Sequence, residues 1–291
     1  MATILVTGAN GQLANEIKVI AAHYPAYQFI FTAKEELPIE NKEALLIFFD
    51  KNKIDYCINC AAYTAVDKAE SEKEKAFLIN GEAVGNLANI CKKYSTKLIH
   101  ISTDYVDDGS VHNPLKEIDA VGPINIYGKS KLIGEELAFN SNPSSLIIRT
   151  SWVYSSFGNN FVKTMLRLFK EKKVINVIND QFGSPTYAAD LAEVIMLFIN
   201  RTEQGEPFSG IVNYSNSGIT TWYEFAKEIQ LLVKSDCQIN PIATSSYPTP
   251  AKRPLYSVMD TSKIKGLLQI GIPSWQESLE KCIQILHQGN I

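Results

Sequence analysis

"VTGANGQLA", residues 6–14, decides the fold. It closes a short apolar β run, "TILVTG", and opens a stretch of helical periodicity, "GQLANEIKVIAAH". Gly8, Gly11 and Ala14 recur every third residue across that junction. Glycine permits a tight turn there and lets backbone N–H groups approach a pyrophosphate. The start of the helix adds unpaired donors and the positive end of its dipole, and Ala14 lets helix pack closely on strand. Asn10, Gln12 and Leu13 lie in the same turn. A glycine turn alone would serve as an ordinary connection. Directly after the first strand of the chain, it marks Gly8, Asn10, Gly11, Gln12 and Leu13 as contacts for a dinucleotide.

Outward from this turn, strands and helices alternate. "YQFIFTA" is β and "NKEALLIFFDK" helical. "DYCINCAA" is β, followed by one long helix through "EKEKAFLINGEAVGNLANICKKY". "KLIHIST" is β and leads into a long loop rich in Asp, Gly and Pro. "YGKSKLIGEELAFN" is helical and "SLIIRTSW" β. This rhythm predicts an α/β fold, a doubly wound parallel sheet of Rossmann type with helices on both faces.

After residue 151 the rhythm loosens. "NNFVKTMLRLFKEKK", "AADLAEVIMLFINR", "TTWYEFAKEIQLLVK" and a segment near 273–288 are helical. "KVINVINDQFGSPT" is a strand with a loop, "GIVNYSN" a short strand, and "ATSSYPTPAKRP" cannot be regular helix. A smaller, interleaved C-terminal substrate domain follows from this. The expected division is 1–151 with 185–214 for the dinucleotide and 152–184 with 215–291 for the substrate.

Composition narrows the function. The 291 residues are 45% apolar and 20% charged, with a formal net charge of −3, which suits neither nucleic acid nor an anionic membrane. No window approaches the ~18 apolar residues of a membrane span. The N-terminus enters an apolar strand at once, without the basic start of a secretory signal, so a cytoplasmic protein is expected. The odd count of 5 cysteines argues against a disulfide framework. "CINC" at 57–60 has redox spacing, but on a strand residues three apart face opposite ways, which favours two core residues. No His/Cys cluster has zinc-ligand spacing, so no metal is assigned.

The strand ends carry the chemistry, because ligands of open α/β sheets sit outside the carboxyl ends of the strands. After the second strand, Ala33 stands where an acid would hold a ribose 2′-hydroxyl, and Lys34 follows. A cation suits a 2′-phosphate, so NADPH is expected, with NADH as the alternative if Glu35 or Glu36 takes the acid's place. The third strand end offers Ala61 and Ala62, with little bulk to obstruct a cofactor. The fourth offers Ser102, Thr103, Asp104 and Tyr105; the fifth offers Arg149, Ser151 and Trp152. "YGKSK" places Lys131 one helical turn after Tyr127. A free phenol is a poor acid-base catalyst near neutrality, and an adjacent ammonium lowers its pKa. Thr103 can donate to a carbonyl oxygen as negative charge develops there. Proton donor, tuner and oxygen clamp together suit acceptance of a hydride.

"VTGANGQLA", "NCAAYTAVDKAE", "STDYV", "YGKSK" and "RTSWVY" resemble the extended short-chain dehydrogenase/reductase family, and "GNNFVKTMLRL", "INDQFGSPT" and "SYPTPAKRP" narrow the resemblance to its nucleotide-sugar reductases. The resemblance implies reduction by NADPH of the C4 ketone of dTDP-4-dehydro-β-L-rhamnose. Tyr127 would donate the proton, Lys131 tune it, and Thr103 hold the carbonyl oxygen. Gly11, Gln12 and Leu13 match the family's pyrophosphate turn. Ala62, Tyr63, Thr64 and Ile101 match its cofactor-contacting strand ends, and Pro38 and Ile39 the adenosine end. Thr103, Asp104 and Trp152 match its sugar-nucleotide contacts. Arg253, in "AKRP", is added because a fork of donors suits phosphate. Asp107 departs from the family, which has an aromatic there. Family members are monomers or homodimers, and some bind Mg2+ at a subunit contact. Glu16 matches one such ligand, but no partner acid lies near it in sequence.

Three other readings share these motifs. A 4,6-dehydratase would need a glutamate where Tyr105 stands, and an epimerase or dehydratase would retain a cofactor that cycles internally instead of exchanging it. A non-catalytic NADP-binding subunit, resembling the regulatory subunit of methionine adenosyltransferase, can retain Tyr and Lys. A reductase of another nucleotide 4-ketosugar is hardly separable by sequence.

Overall fold

The computed structural model describes residues 1–110 and 112–288. The first unit runs β1 (Ala2–Thr7), α1 (Gln12–Ile20), β2 (Tyr27–Thr32), α2 (Lys42–Lys51), β3 (Tyr56–Asn59), α3 (Val66–Ala69), α4 (Lys73–Phe77), α5 (Ala83–Lys93) and β4 (Lys97–Thr103). It continues through α6 (Ile126–Ser141) and β5 (Leu146–Thr150). Then come β6 (Val153–Tyr154), α7 (Phe161–Glu171), β7 (Val174–Ile178), β8 (Phe182–Gly183), β9 (Thr186–Tyr187), α8 (Ala188–Glu203) and β10 (Gly210–Asn213). The chain finishes with β11 (Thr220–Thr221), α9 (Trp222–Leu232), β12 (Gln238–Ile242), α10 (Ser262–Leu268) and α11 (Trp275–Gln288).

Six strands form one parallel sheet in the order β2-β1-β3-β4-β5-β10. Its two faces bury different side chains of the same strands, as the period of two requires. Ile4 and Val6 pack toward α1 and α8, with Ile17, Leu191, Ile195 and Phe198. Leu5, Cys57 and Ile147 pack on the opposite face, with Leu45, Phe49 and Leu87 from α2 and α5. Every residue of β3 and β5 is buried, as in a parallel sheet covered on both sides. The direction in which strands are added reverses between β1 and β3, and the crevice beyond that switch point is where such sheets bind ligands.

The second unit is built from three two-stranded pieces, β7–β12, β6–β9 and β8–β11. Its core joins Tyr154 of β6 to Val162, Met165, Phe225, Ile229, Leu279 and Ile283 from α7, α9 and α11. Thr221 caps α9, its side chain accepting from Glu224 N at 3.2 Å. Among the described residues no helix is long and apolar enough to cross a membrane.

Two expectations of regular structure needed correction. The long helix after β3 is broken by a π turn at Leu78–Glu82. There the Asn80 side chain accepts from Tyr63 N at 2.8 Å and donates to Tyr63 O and Ser130 Oγ, each at 3.0 Å. Asn80 O also sits where a Cβ on Gly134 of α6 would lie, 2.0 Å away. The widened turn thus lets two helices touch backbone to backbone behind the strand end. β12 was unforeseen because Pro241 interrupts its pattern; it survives as an edge strand paired only to β7.

Candidate active site

A cavity of about 910 Å³ opens along the carboxyl ends of β1, β3, β4 and β5. Gly8, Asn10, Gly11, Gln12 and Leu13 line one side, and Lys34 and Ile39 the end below β2. Ala61, Ala62, Tyr63, Thr64 and Ile101 line the floor, with Thr103, Asp104, Tyr127, Lys131 and Trp152 toward the second unit. The structure therefore brings together all but two of the residues expected from sequence to act in catalysis or to contact cofactor or substrate. Pro38 does not line the cavity; its neighbours Leu37 and Ile39 do. Arg253 does not line it either. Its guanidinium forms a two-pronged ion pair with Asp67, Nη2 to Oδ2 at 2.8 Å and Nη1 to Oδ1 at 3.0 Å, so its fork is already engaged.

The glycine turn fits a dinucleotide for a steric reason. Gly8 has φ +68°, and a Cβ there would lie 2.7 Å from Ala61 N, so any side chain would fill the cradle between β1 and β3. Gly11 caps α1 with backbone alone, which leaves the first turn's donors facing the cavity. Lys34 lines the far end and pairs with Glu40 at 3.1 Å. Glu36 is spent on its own loop, accepting from Ala33 N at 2.8 Å. Asn160 at the start of α7 donates to Gln12 Oε1 at 2.9 Å, joining the second unit to the glycine turn.

The "YGKSK" helix is set by Asn125, whose side chain accepts from Gly128 N at 2.7 Å. Gly128 explains the glycine between tyrosine and lysine. A Cβ there would come within 2.0 Å of Tyr105 O, so only glycine lets α6 press against the turn after β4. Tyr127 and Tyr105 meet edge to face, centroids 5.9 Å apart. The Thr103 hydroxyl donates to Asp104 Oδ1 at 3.0 Å and accepts from Tyr105 N at 3.2 Å.

Burial dominates the electrostatics. It pushes the Tyr127 phenol up to about 12, partly offset by a hydrogen bond with Thr103. It pushes Lys131 down to about 8, opposed by Glu135, and the Asp104 carboxyl up to about 7, against the hydrogen bonds that carboxyl accepts. The expected lowering of the phenol by Lys131 is thus not what these residues produce by themselves. The Lys131 head group turns instead toward Ile101 O, at 2.6 Å, and the His100 ring. A phenol held high is fully protonated near neutrality, which suits a donor more than a base.

Beneath the site lies a buried pair, Arg149 with Glu135 at 2.7 Å, which also receives Ser102 Oγ at 2.5 Å. Asp107 is buried near it, 4% exposed, and burial pushes its carboxyl up to about 6 against the pull of Arg149. Trp152 was marked from sequence, but not what holds it. It adopts φ +47°, stacks on Trp222 at 3.6 Å and 9°, and presses on Gly183, where a Cβ would meet the ring at 2.6 Å. Trp222 lies far off in sequence, and only its place just after the Thr221 cap hinted that it faces inward.

The cysteine spacing is resolved as core. Cys57 joins the core on one sheet face and Cys60 packs against the other, both free. Glu16 is buried and accepts from Ser155 Oγ at 2.6 Å. Among the described residues no group of three or more His, Cys, Asp or Glu side chains could hold a metal ion.

A glycine-turn sheet with a tyrosine and lysine one turn apart at its strand ends defines an extended short-chain dehydrogenase/reductase. More narrowly, the chain belongs to the RmlD substrate binding domain family, whose model matches residues 1–288. It is similar to a dTDP-4-dehydrorhamnose reductase of Aggregatibacter actinomycetemcomitans, 38% identical over 287 residues, 96% of this chain and 98% of the relative. A dTDP-4-dehydrorhamnose reductase structure from Clostridium acetobutylicum superposes with TM-score 0.93 at 40% identity, covering 98% of this chain and 99% of that one. One from Bacillus anthracis in complex with NADP gives 0.92 at 37%, covering 98% and 100%.

Proposed function

We propose that the chain reduces the C4 ketone of dTDP-4-dehydro-β-L-rhamnose with NADPH, yielding dTDP-L-rhamnose. The observation that carries this reading is the shared cavity. The Tyr127 and Thr103 hydroxyls and the Lys131 amine meet at the β4 strand end, one wall away from a glycine cradle sized for a dinucleotide. Bound NADPH would supply the hydride. Gly8, Asn10, Gly11, Gln12 and Leu13 would hold its pyrophosphate, Lys34 its 2′-phosphate, and Ala61, Ala62, Tyr63, Thr64 and Ile101 the bases and ribose. Ile39 would border the adenosine.

The substrate side follows from the same geometry. Tyr127 gives its phenolic proton to the carbonyl oxygen. Thr103 turns its hydroxyl from Asp104 to that oxygen and stabilises the developing charge. Asp104 and Trp152 orient the sugar. Tyr105, where a dehydratase would need a carboxylate, is instead an aromatic packed on Tyr127. The division of labour is 1–151 with 185–214 for the cofactor and 152–184 with 215–291 for the sugar nucleotide. We place the protein in the cytoplasm, as a monomer or homodimer.

The test is nicotinamide absorbance with the purified protein, dTDP-4-dehydro-L-rhamnose and NADPH, then NADH. Oxidation that yields dTDP-L-rhamnose, faster with NADPH, is expected. Tight NADPH binding without turnover would overturn the substrate assignment, and other nucleotide 4-ketosugars would be tried next. A stable hetero-oligomer with no turnover of any ketosugar would instead indicate a non-catalytic subunit.

A further inference from the structure

The mechanism above leaves one buried titratable group unused. His100 is fully buried in β4, directly behind Lys131. It belongs to a row. Thr7, Asn59 and His100 are register partners on the adjacent strands β1, β3 and β4, and all three are fully buried. The Thr7 hydroxyl donates to Asn59 Oδ1 at 2.7 Å, Asn59 Nδ2 lies 3.0 Å from His100 Nδ1, and His100 Nε2 lies 3.3 Å from Lys131 Nζ.

One contact from outside the row orients the Asn59 amide. Ala61 N–H donates to Asn59 Oδ1 at 3.3 Å. A backbone N–H can only donate, so the amide oxygen must face Ala61 and the NH₂ must face His100. The ring therefore accepts at Nδ1. A neutral imidazole that accepts at one nitrogen carries its hydrogen on the other. An imidazolium would set its Nδ1–H against the amide NH₂, and burial and the nearby lysine hold the His100 pKa well below its ordinary value. His100 thus aims an N–H at Lys131 Nζ, while Lys131 donates to Ile101 O at 2.6 Å. An ammonium has no lone pair to receive that N–H; a neutral amine does.

We infer that His100 is a positioning residue that makes Lys131 a proton source for Tyr127 rather than a fixed charge, by offering a hydrogen bond only to the amine that remains after Lys131 has given its proton away. The step it serves rests on the reductase reading. When the carbonyl oxygen takes the phenolic proton, Tyr127 is left as phenolate. One N–H bond of Lys131 breaks and the O–H bond of Tyr127 re-forms. The resulting amine accepts from His100 Nε2–H, and solvent returns the proton. The other titratable groups facing Lys131 are Glu135, from its own helix and already engaged by Arg149 and Ser102, and Cys60 at the end of β3. A Lys131 pKa near 8 is consistent with a lysine that exchanges its proton during turnover.

Two measurements test this, and the first needs no activity. ¹⁵N NMR of the histidine rings, with His100 identified by loss of its signal in His100→Gln, should show Nε2 protonated and Nδ1 bare from about pH 5 to 9. An Nδ1–H tautomer or an imidazolium in that range would overturn the inference whatever the enzyme does. The second is the pH profile of turnover in Asn59→Asp. A carboxylate reverses the row, so that His100 donates from Nδ1 and accepts from Lys131 at Nε2. The alkaline limb should then move up by about one pH unit or more, a tenfold or greater change in proton affinity, with KM for the sugar nucleotide unchanged. An unmoved limb in a folded variant would overturn it. Absence of turnover in the unaltered protein would count against the reductase reading alone and leave the tautomer result standing.

Discussion

The two sides of the cavity are built by different rules. The cofactor side is one parallel sheet whose strand ends arrive in register, so Thr7, Asn59, His100 and Ile147 stand in line across β1, β3, β4 and β5. Small residues do the work there. Gly8, Ala61 and Ala62 matter for what they leave open. The sugar side is assembled from two-residue strands and aromatic stacks, and Trp152 stays in a left-handed backbone only because Trp222 and Gly183 enclose its ring. One wall is positioned by backbone hydrogen bonding, which is periodic, the other by side-chain packing, which is not. Their functions should therefore fail separately.

The sharpest way to break that separation is at the seam. Tyr127→Phe removes the proton donor and keeps the ring packing on Tyr105; turnover should fall about 10²–10⁴-fold while NADPH affinity, read by fluorescence titration, stays within about twofold. Near-normal rates would refute the role given to "YGKSK".

On the cofactor side, Gly8→Ala forces a Cβ against Ala61 N in a backbone that L residues avoid. A strain of ~1–3 kcal/mol predicts roughly 5- to 150-fold weaker NADPH binding, with sugar-nucleotide affinity little changed by calorimetry. On the sugar side, Trp222→Ala removes a stack worth about 0.5–1.5 kcal/mol. KM for the sugar nucleotide should rise roughly 3- to 10-fold with NADPH affinity intact, and Trp222→Phe should recover most of it. Loss of NADPH binding in the tryptophan variant would mean that the two walls are one unit.

Asp107 gives the smallest effect. Its carboxyl is raised in the folded protein to about 6 from an ordinary 3.8. The unfolded chain thus ionises first, and the contribution of Asp107 to folding stability is fully present below about pH 4 and lost progressively as pH rises through 6. Asp107→Asn should remove that loss, and its melting temperature should gain on the parent by an amount equivalent to ~1–2 kcal/mol between pH 4.5 and 7.5, allowing for partial solvent screening. Equal pH dependence of both proteins would show that Asp107 ionises freely.

Much of this was legible before any coordinates. The alternation of short apolar runs with helical periods declared the parallel sheet, and the glycine turn located its ligand edge. "YGKSK" placed two reactive groups one turn apart because helical spacing is local. What reading could not show was long-range. Arg253 looked free to bind phosphate, but Asp67, far away in sequence, occupies its fork. Lys131 was expected to lower the Tyr127 phenol, but its head group is held by Ile101 and His100. The π turn at Leu78–Glu82 was hidden inside an unbroken helical pattern, because the residue it lies against, Gly134, belongs to another helix.

By itself, then, the sequence determined the fold class, the position of the cofactor cradle and the identity of the tyrosine–lysine pair, since each depends on residues within a few positions of one another. Tertiary structure alone decided which groups His100 meets, what clamps Trp152 and which acid pairs with Arg253. Those outcomes depend on the register between strands and on packing across the chain, and no short pattern of residues encodes a partner that arrives from a distant turn of the backbone.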